Sequence, residues 1–250
     1  MALKRLLADE DGAIEELPRW ERRREGIRAG LFETIGDPPV ARNTRSIRVV
    51  DEEVLDTYVR IRISYVVGEG DTVTAFLLRP KDLITPAPAI LALHQTVDEG
   101  KGEVVGLSGS PDFAYGHELA TKGYLVLAPD HLTAGERIYP GRGSFDSGPF
   151  YDQYPGWSMV GKNLEDSRSG VDVLCALDDV DTARIGVIGH SHGGHNAIFA
   201  AALDERIRVA VSNCGLSAFS EEEEALEWSL EDGYVYIPKL RKYLLENVAP

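Results

Sequence analysis

Four short, almost wholly apolar runs recur along the chain, Ala89 to Leu93, Tyr124 to Ala128, Ile185 to Ile188 and Val209 to Val211, with helix-length stretches between them. Runs this short and this apolar suit strands buried on both faces, which occur where helices cover a parallel sheet. The stretches Asp112 to Lys122, Met159 to Leu177 and Asn196 to Leu203 read as those helices, packed by right-handed crossovers. The expected class is α/β, a mostly parallel sheet wrapped by helices. Upstream the period changes to two. Val59, Ile61 and Ile63 alternate with Tyr58, Arg60 and Arg62, and Thr72 to Leu78 follows across the turn Gly68-Glu69-Gly70-Asp71, which suits a half-exposed strand and its neighbour.

With 250 residues, 43% of them apolar, the chain can bury one sizeable core, and one large domain is expected. Residues 1–40 read as a helical cap rather than a domain: Ile14 to Phe32 is arginine-rich, with Ile27 and Leu31 one turn apart, and it ends near Gly36-Asp37-Pro38-Pro39. Residues 41–250 are expected to form the core. A net charge of −15 repels phosphate backbones and anionic bilayers, so neither nucleic acid nor membrane is an expected partner. Apolar runs fall well short of the roughly 20 residues of a membrane span, and the charged start, Met1 to Glu10, does not resemble a signal peptide. The cytoplasm is the expected location. Cys175 and Cys214 lie in apolar segments and are expected to be buried free thiols. Glu221 to Glu224 reads as a solvated helix start. The stretch Gly135 to Gly161, rich in glycine, proline and aromatics, is long for a connection and is expected to shape a pocket.

The chemistry is concentrated at Gly189-His190-Ser191-His192-Gly193-Gly194, which the strand Arg184 to Ile188 enters directly and a helical stretch leaves. In a strand, sharp turn and helix of this kind, a serine in a strained conformation holds its hydroxyl clear of the sheet, and glycines at 189 and 193 avoid backbone clashes. The plainer reading is a glycine-rich turn capped by Ser191. His190, His192 and His195 diverge on a turn and helix with no carboxylate or cysteine interleaved, so no metal site is expected.

On these residues the chain resembles the α/β-hydrolase superfamily, within it the dienelactone hydrolase and acetyl-esterase-like branch, with prolyl-oligopeptidase-type hydrolases close by. Leu93-His94-Gln95-Thr96, Gly123 to Asp130, Asp181 to Gly194 and Val211 to Gly215 carry the resemblance, which covers roughly residues 55 to 215. It implies a serine esterase with Ser191 as nucleophile, a small-molecule ester as substrate and no cofactor. It also implies two backbone N–H donors to the oxyanion, one from His192 and the other from Gln95 or Thr96. Gln95 replaces the usual glycine of the His-Gly start of that loop.

The resemblance further implies an acid and a histidine after Ser191, on two more strands and a final helix. No histidine follows His195. Three explanations are open: a truncated hydrolase with impaired turnover, a partial fold that binds without turnover, or an unusual base. His131, at the carboxyl end of the strand Tyr124 to Ala128, is the internal candidate for that base. A non-catalytic interaction protein and a peptidase fragment are the competing functions. A sheet stopping at Val209 to Val211 would expose an apolar edge, so self-association is expected.

Overall fold

The computed structural model describes residues 7–9, 12–39, 44–68, 70–216, 237 and 239. A short antiparallel ribbon, β1 (Ala8–Asp9) and β2 (Gly12–Ala13), precedes one helix, α1 (Leu17–Ile35). Pro18 lies in its first turn, where a fixed φ is tolerated. Gly36, at φ 85°, ends it with its N–H bonded to the Phe32 carbonyl at 3.1 Å. Ile35 is the buried residue of α1 and packs with Val160, Leu164 and Leu203.

The main sheet has seven strands among the described residues: β3 (Arg45–Val54), β4 (Tyr58–Gly68), β5 (Asp71–Pro80), β6 (Ala87–Leu93), β7 (Leu125–Pro129), β8 (Val180–His190) and β9 (Ile207–Asn213). Their order is β3-β4-β5-β7-β6-β8-β9. The pairs from β3 to β7 are antiparallel, and β7-β6, β6-β8 and β8-β9 are parallel. The other described helices are α2 (Lys101–Val104), α3 (Tyr115–Thr121), α4 (Gly148–Gln153), α5 (Met159–Cys175) and α6 (His192–Leu203).

The central strands face both layers. Leu91 and Leu127 meet Val171 and Leu174 of α5 and Ala197 and Ala200 of α6. Ala92 and Val126, one residue along, meet Val104 and Ala120 of α2 and α3 on the opposite face, as the two-residue period of a strand requires. The connection from β6 to β7 therefore crosses one face and that from β7 to β8 the other. They part at β6, and crevices in open sheets form where connections part, beyond the carboxyl ends of the strands.

Several expectations change. The segment read as one helix, Asp112 to Lys122, is a 3-10 turn at Pro111–Phe113 followed by α3, and the helix after Ser191 begins at His192 rather than Asn196. Strand β3 is an addition to the sequence reading: it is an antiparallel edge strand with Ile47, Val49 and Val54 exposed, so its sequence shows no core-facing alternation. Val209 to Val211 is not buried on both faces. In β9 only Ile207 is buried, while Val209 is 62% and Val211 48% exposed, because β9 is the other edge among the described residues. Both cysteines are free, but Cys175 is half-buried and Cys214 exposed. Glu221 to Glu224 lies outside the described residues. Among the described residues no helix is long and apolar enough to cross a membrane.

Candidate active site

Between the last residue of β8 and the first of α6 stands a single residue, Ser191, at φ 48° and ψ −117°. A non-glycine residue at positive φ is strained by about 1–3 kcal/mol, so its surroundings must hold it. Here they do. Its N–H donates to the Asn213 carbonyl of β9 at 2.8 Å, and its carbonyl accepts the His195 N–H at 2.9 Å. A Cβ on Gly193 would lie 2.0 Å from the Leu93 carbonyl oxygen, and one on Gly189 2.2 Å from the Gly193 carbonyl. Strand, turn and helix therefore touch through backbone alone, and the turn carries β6 against the start of α6. Ser191 occupies the N-cap position, yet its side chain makes no capping bond, so the hydroxyl is not spent on closing the helix.

The other residues expected at this site come from the loop after β6, which His94 braces. Its Nδ1–H donates to the Gln95 carbonyl at 2.6 Å and its Nε2 accepts the His131 N–H at 3.0 Å. Because a carbonyl only accepts and an N–H only donates, these two bonds fix His94 as the neutral Nδ1–H tautomer. Burial also lowers its pKa. The Gln95 carbonyl takes a second bond from the Val97 N–H at 3.0 Å. The Gln95 side chain donates to Glu103 at 2.7 Å, which anchors it away from the turn. Thr96 follows in the same loop. His192 is the first residue of α6, so its N–H belongs to the positive end of that helix.

His131 is buried beside His94 and His192. Its ring sits 4.4 Å from that of His94 and 4.8 Å from that of His192, centroid to centroid. Its Nε2 faces the Asn196 amide at 3.4 Å, an amide that also reaches His192 Nε2 at 3.1 Å. Burial first, then the neighbouring His94 and His192, hold the His131 pKa well below 6.5, and burial does the same to His192. His195 is lowered to about 4, chiefly by burial. His190 stacks on Phe113 at 4.7 Å. Among the described residues no group of three His, Cys, Asp or Glu side chains is arranged to hold a metal ion.

The sequence reading missed the buried charges around this site. Asp130 accepts the Lys101 N–H at 2.9 Å, the Glu136 N–H at 3.1 Å, the Thr74 hydroxyl at 2.8 Å and the Lys101 ammonium. It thereby clasps the loops after β6 and β7. Arg137 joins Asp166 at 2.7 Å and Asp71 at 3.0 Å, and Lys162 bonds to both carboxylates. Isolated charges spaced along a sequence give no sign of such pairing. Tyr115, also missed, donates its hydroxyl to the Leu93 carbonyl, the oxygen that Gly193 approaches.

A mixed sheet covered by helices, with a strained serine between strand and helix at its carboxyl edge, is the architecture of an α/β hydrolase. Solved structures agree on the fold: a "putative acetyl xylan esterase" of Bacteroides fragilis (TM-score 0.69, 19% identity, 78% of this chain and 54% of that one) and a glucuronoyl esterase of Solibacter usitatus (TM-score 0.68, 19% identity, 97% and 72%). The chain thus spans little more than half of the first. "Putative hydrolase YtaP" of Bacillus subtilis strain 168 is 32% identical over 234 residues, 90% of this chain and 74% of the relative. The chain belongs to the dienelactone hydrolase family, whose sequence profile matches residues 73–230.

Proposed function

We propose that the chain cleaves small carboxylic esters through an acyl-enzyme on Ser191. The observation that carries this reading is the Ser191 backbone, at φ 48° between β8 and α6: strain at one residue, maintained by glycines that admit no side chain, has a purpose if it presents the hydroxyl. The Ser191 oxygen adds to the ester carbonyl carbon, its proton passes to a base, and the alcohol departs with a proton. Water then hydrolyses the acyl-serine. The oxyanion is held by the backbone N–H of His192 and that of Gln95 or Thr96, each worth about 3–4 kcal/mol in characterised enzymes. The esterase names of the structural neighbours favour the same reaction. The chemistry needs no cofactor, and two free cysteines suit a cytoplasmic protein.

The base sets the rate. No histidine follows His195, and His131, the internal candidate, is a weak base because burial depresses its pKa. Turnover by these 250 residues is therefore expected to be slowed by about 10⁴- to 10⁶-fold relative to an intact triad. A fluorophosphonate probe tests this. Slow labelling that disappears in Ser191→Ala is the expected result, and labelling that survives Ser191→Ala would overturn the reading. Fast labelling would overturn only the impairment, and its loss in His131→Ala would identify the base.

A further inference from the structure

The outermost strand beside β4, β3, has one neighbour among the described residues. Every residue from Ile47 to Val54 is exposed. Four of them, Ile47, Val49, Val50 and Val54, are apolar and β-branched and are 42 to 70% exposed. An edge ten residues long with such side chains is a template for another strand.

The ladder to β4 fixes which side chains share a face. Arg48 stands opposite Ser64, Asp51 opposite Arg62 and Glu53 opposite Arg60. Ser64, Arg62 and Arg60 alternate along β4, so the three charged residues of β3 lie on one face of the sheet. Val49 stands opposite the buried Ile63, on the other face. The register shifts between Val49 and Asp51, which makes Val50 the extra residue of a bulge and brings Arg48 and Asp51 to the same side. Asp51 and Glu53 pair with Arg62 and Arg60, whereas Arg48 has no ionic partner among the described residues.

Charge is sorted along this strand. Arg45 and Arg48 come first, and Asp51, Glu52 and Glu53 follow. A parallel copy in register would set like charge against like, and an antiparallel copy sets opposite against opposite. Bulges and charges commonly guard an edge strand against pairing, but charges in this order are complementary to the strand's own antiparallel copy. We infer that β3 is the interface of a twofold dimer, pairing antiparallel with β3 of a second copy about a point between Val49 and Val50. In that register Arg48 stands opposite the partner's Asp51 on their shared face, twice over by symmetry, and Val49 stands opposite the partner's Val50. The uncommitted arginine gains a carboxylate, and the exposed valines gain one another. The inference concerns assembly and stands apart from the ester reading.

The test is sedimentation equilibrium of the 250-residue chain carrying Val209→Lys, a charge that opposes pairing through β9, the other edge among the described residues. At about 0.15 M salt, repulsion between two chains of net charge −15 is screened beyond about 8 Å. A monomer–dimer equilibrium is expected. Arg48→Asp and Asp51→Arg each turn both cross-copy pairs from opposite to like charge, and each should raise the dimer Kd about tenfold or more. An equimolar mixture of the two variants restores opposite charges at both pairs and should dimerise as the parent does. Val50→Lys should also weaken the dimer. A monomer at every concentration, a dimer indifferent to either Arg48→Asp or Val50→Lys, or a mixture no tighter than the separate variants would overturn the inference. Asp51→Arg also loses the pair with Arg62. Arg48→Asp and Val50→Lys change exposed side chains outside that pair, so they decide the matter even if Asp51→Arg unfolds.

Discussion

His94 Nε2 accepts the backbone N–H of His131 at 3.0 Å while its Nδ1–H holds the Gln95 carbonyl, so one buried imidazole ties the loop after β6 to the loop after β7. His94→Ala would leave both backbone groups without that partner and open a cavity. Urea unfolding is expected to show a loss of about 2–4 kcal/mol, with slower fluorophosphonate labelling because the loop that carries Gln95 and Thr96 loses its brace.

Gly193→Ala puts a methyl group 2.0 Å from the Leu93 carbonyl oxygen, and both sides of that contact are backbone. The expected cost is about 3 kcal/mol or more. Gly143→Ala, where no atom lies within 4 Å of the added carbon, should stay within about 0.5 kcal/mol of the parent. Thermal melts of the two variants side by side check the contrast.

Asp130→Asn breaks the pair with Lys101, whose side chain is 3% exposed, and leaves a buried ammonium with Glu136 as its acidic partner among the described residues. A loss of about 3–5 kcal/mol is expected. Adding Lys101→Met removes the uncompensated charge, and denaturant titration of the double variant should show part of the loss restored.

Stability should fall on mild acidification. His94, His131, His192 and His195 all have folded pKa values below 6.5. Between the folded value and 6.5 the unfolded chain therefore binds more protons than the native one, and stability rises with pH. The contribution is complete above pH 6.5 and is lost as the pH falls below it, for His195 down to about 4. Each histidine adds a slope of at most about 1.4 kcal/mol per pH unit. Asp71 acts in the same direction at lower pH: burial pushes its pKa up, but Arg137 and Lys162 outweigh that and hold it at about 2. Denaturation midpoints should hold level from about pH 8 to about pH 7 and then decline toward about pH 4, and a flat profile below about pH 6.5 would contradict the neutral histidine cluster.

Val209 and Val211 stand exposed on β9, an edge strand among the described residues. Sedimentation velocity should show concentration-dependent association of the 250-residue chain, reduced by Val209→Lys, since a charge on an edge strand opposes pairing. A monomer at every concentration would remove β9 as an interface.

What the sequence determined by itself is local. The period of apolar residues marks β4 to β8 and α5, and the order strand, glycine turn, helix singles out Ser191, because strand and helix periodicity and the steric demands of glycine act over a few residues. The tertiary structure decided what depends on residues brought together from far apart. Asp71 meets Arg137 across 66 positions and Lys162 across 91, and His94 meets the His131 backbone across 37. Exposure of Val209 and Val211 goes with the place of β9 at an edge of the sheet among the described residues, which the apolar run Val209 to Val211 does not encode. A cavity lined by Asp71, Tyr154 and Lys162 likewise exists only where the β4–β5 turn, the segment after β7 and α5 meet, since side chains from separate segments enclose a volume that no one segment specifies.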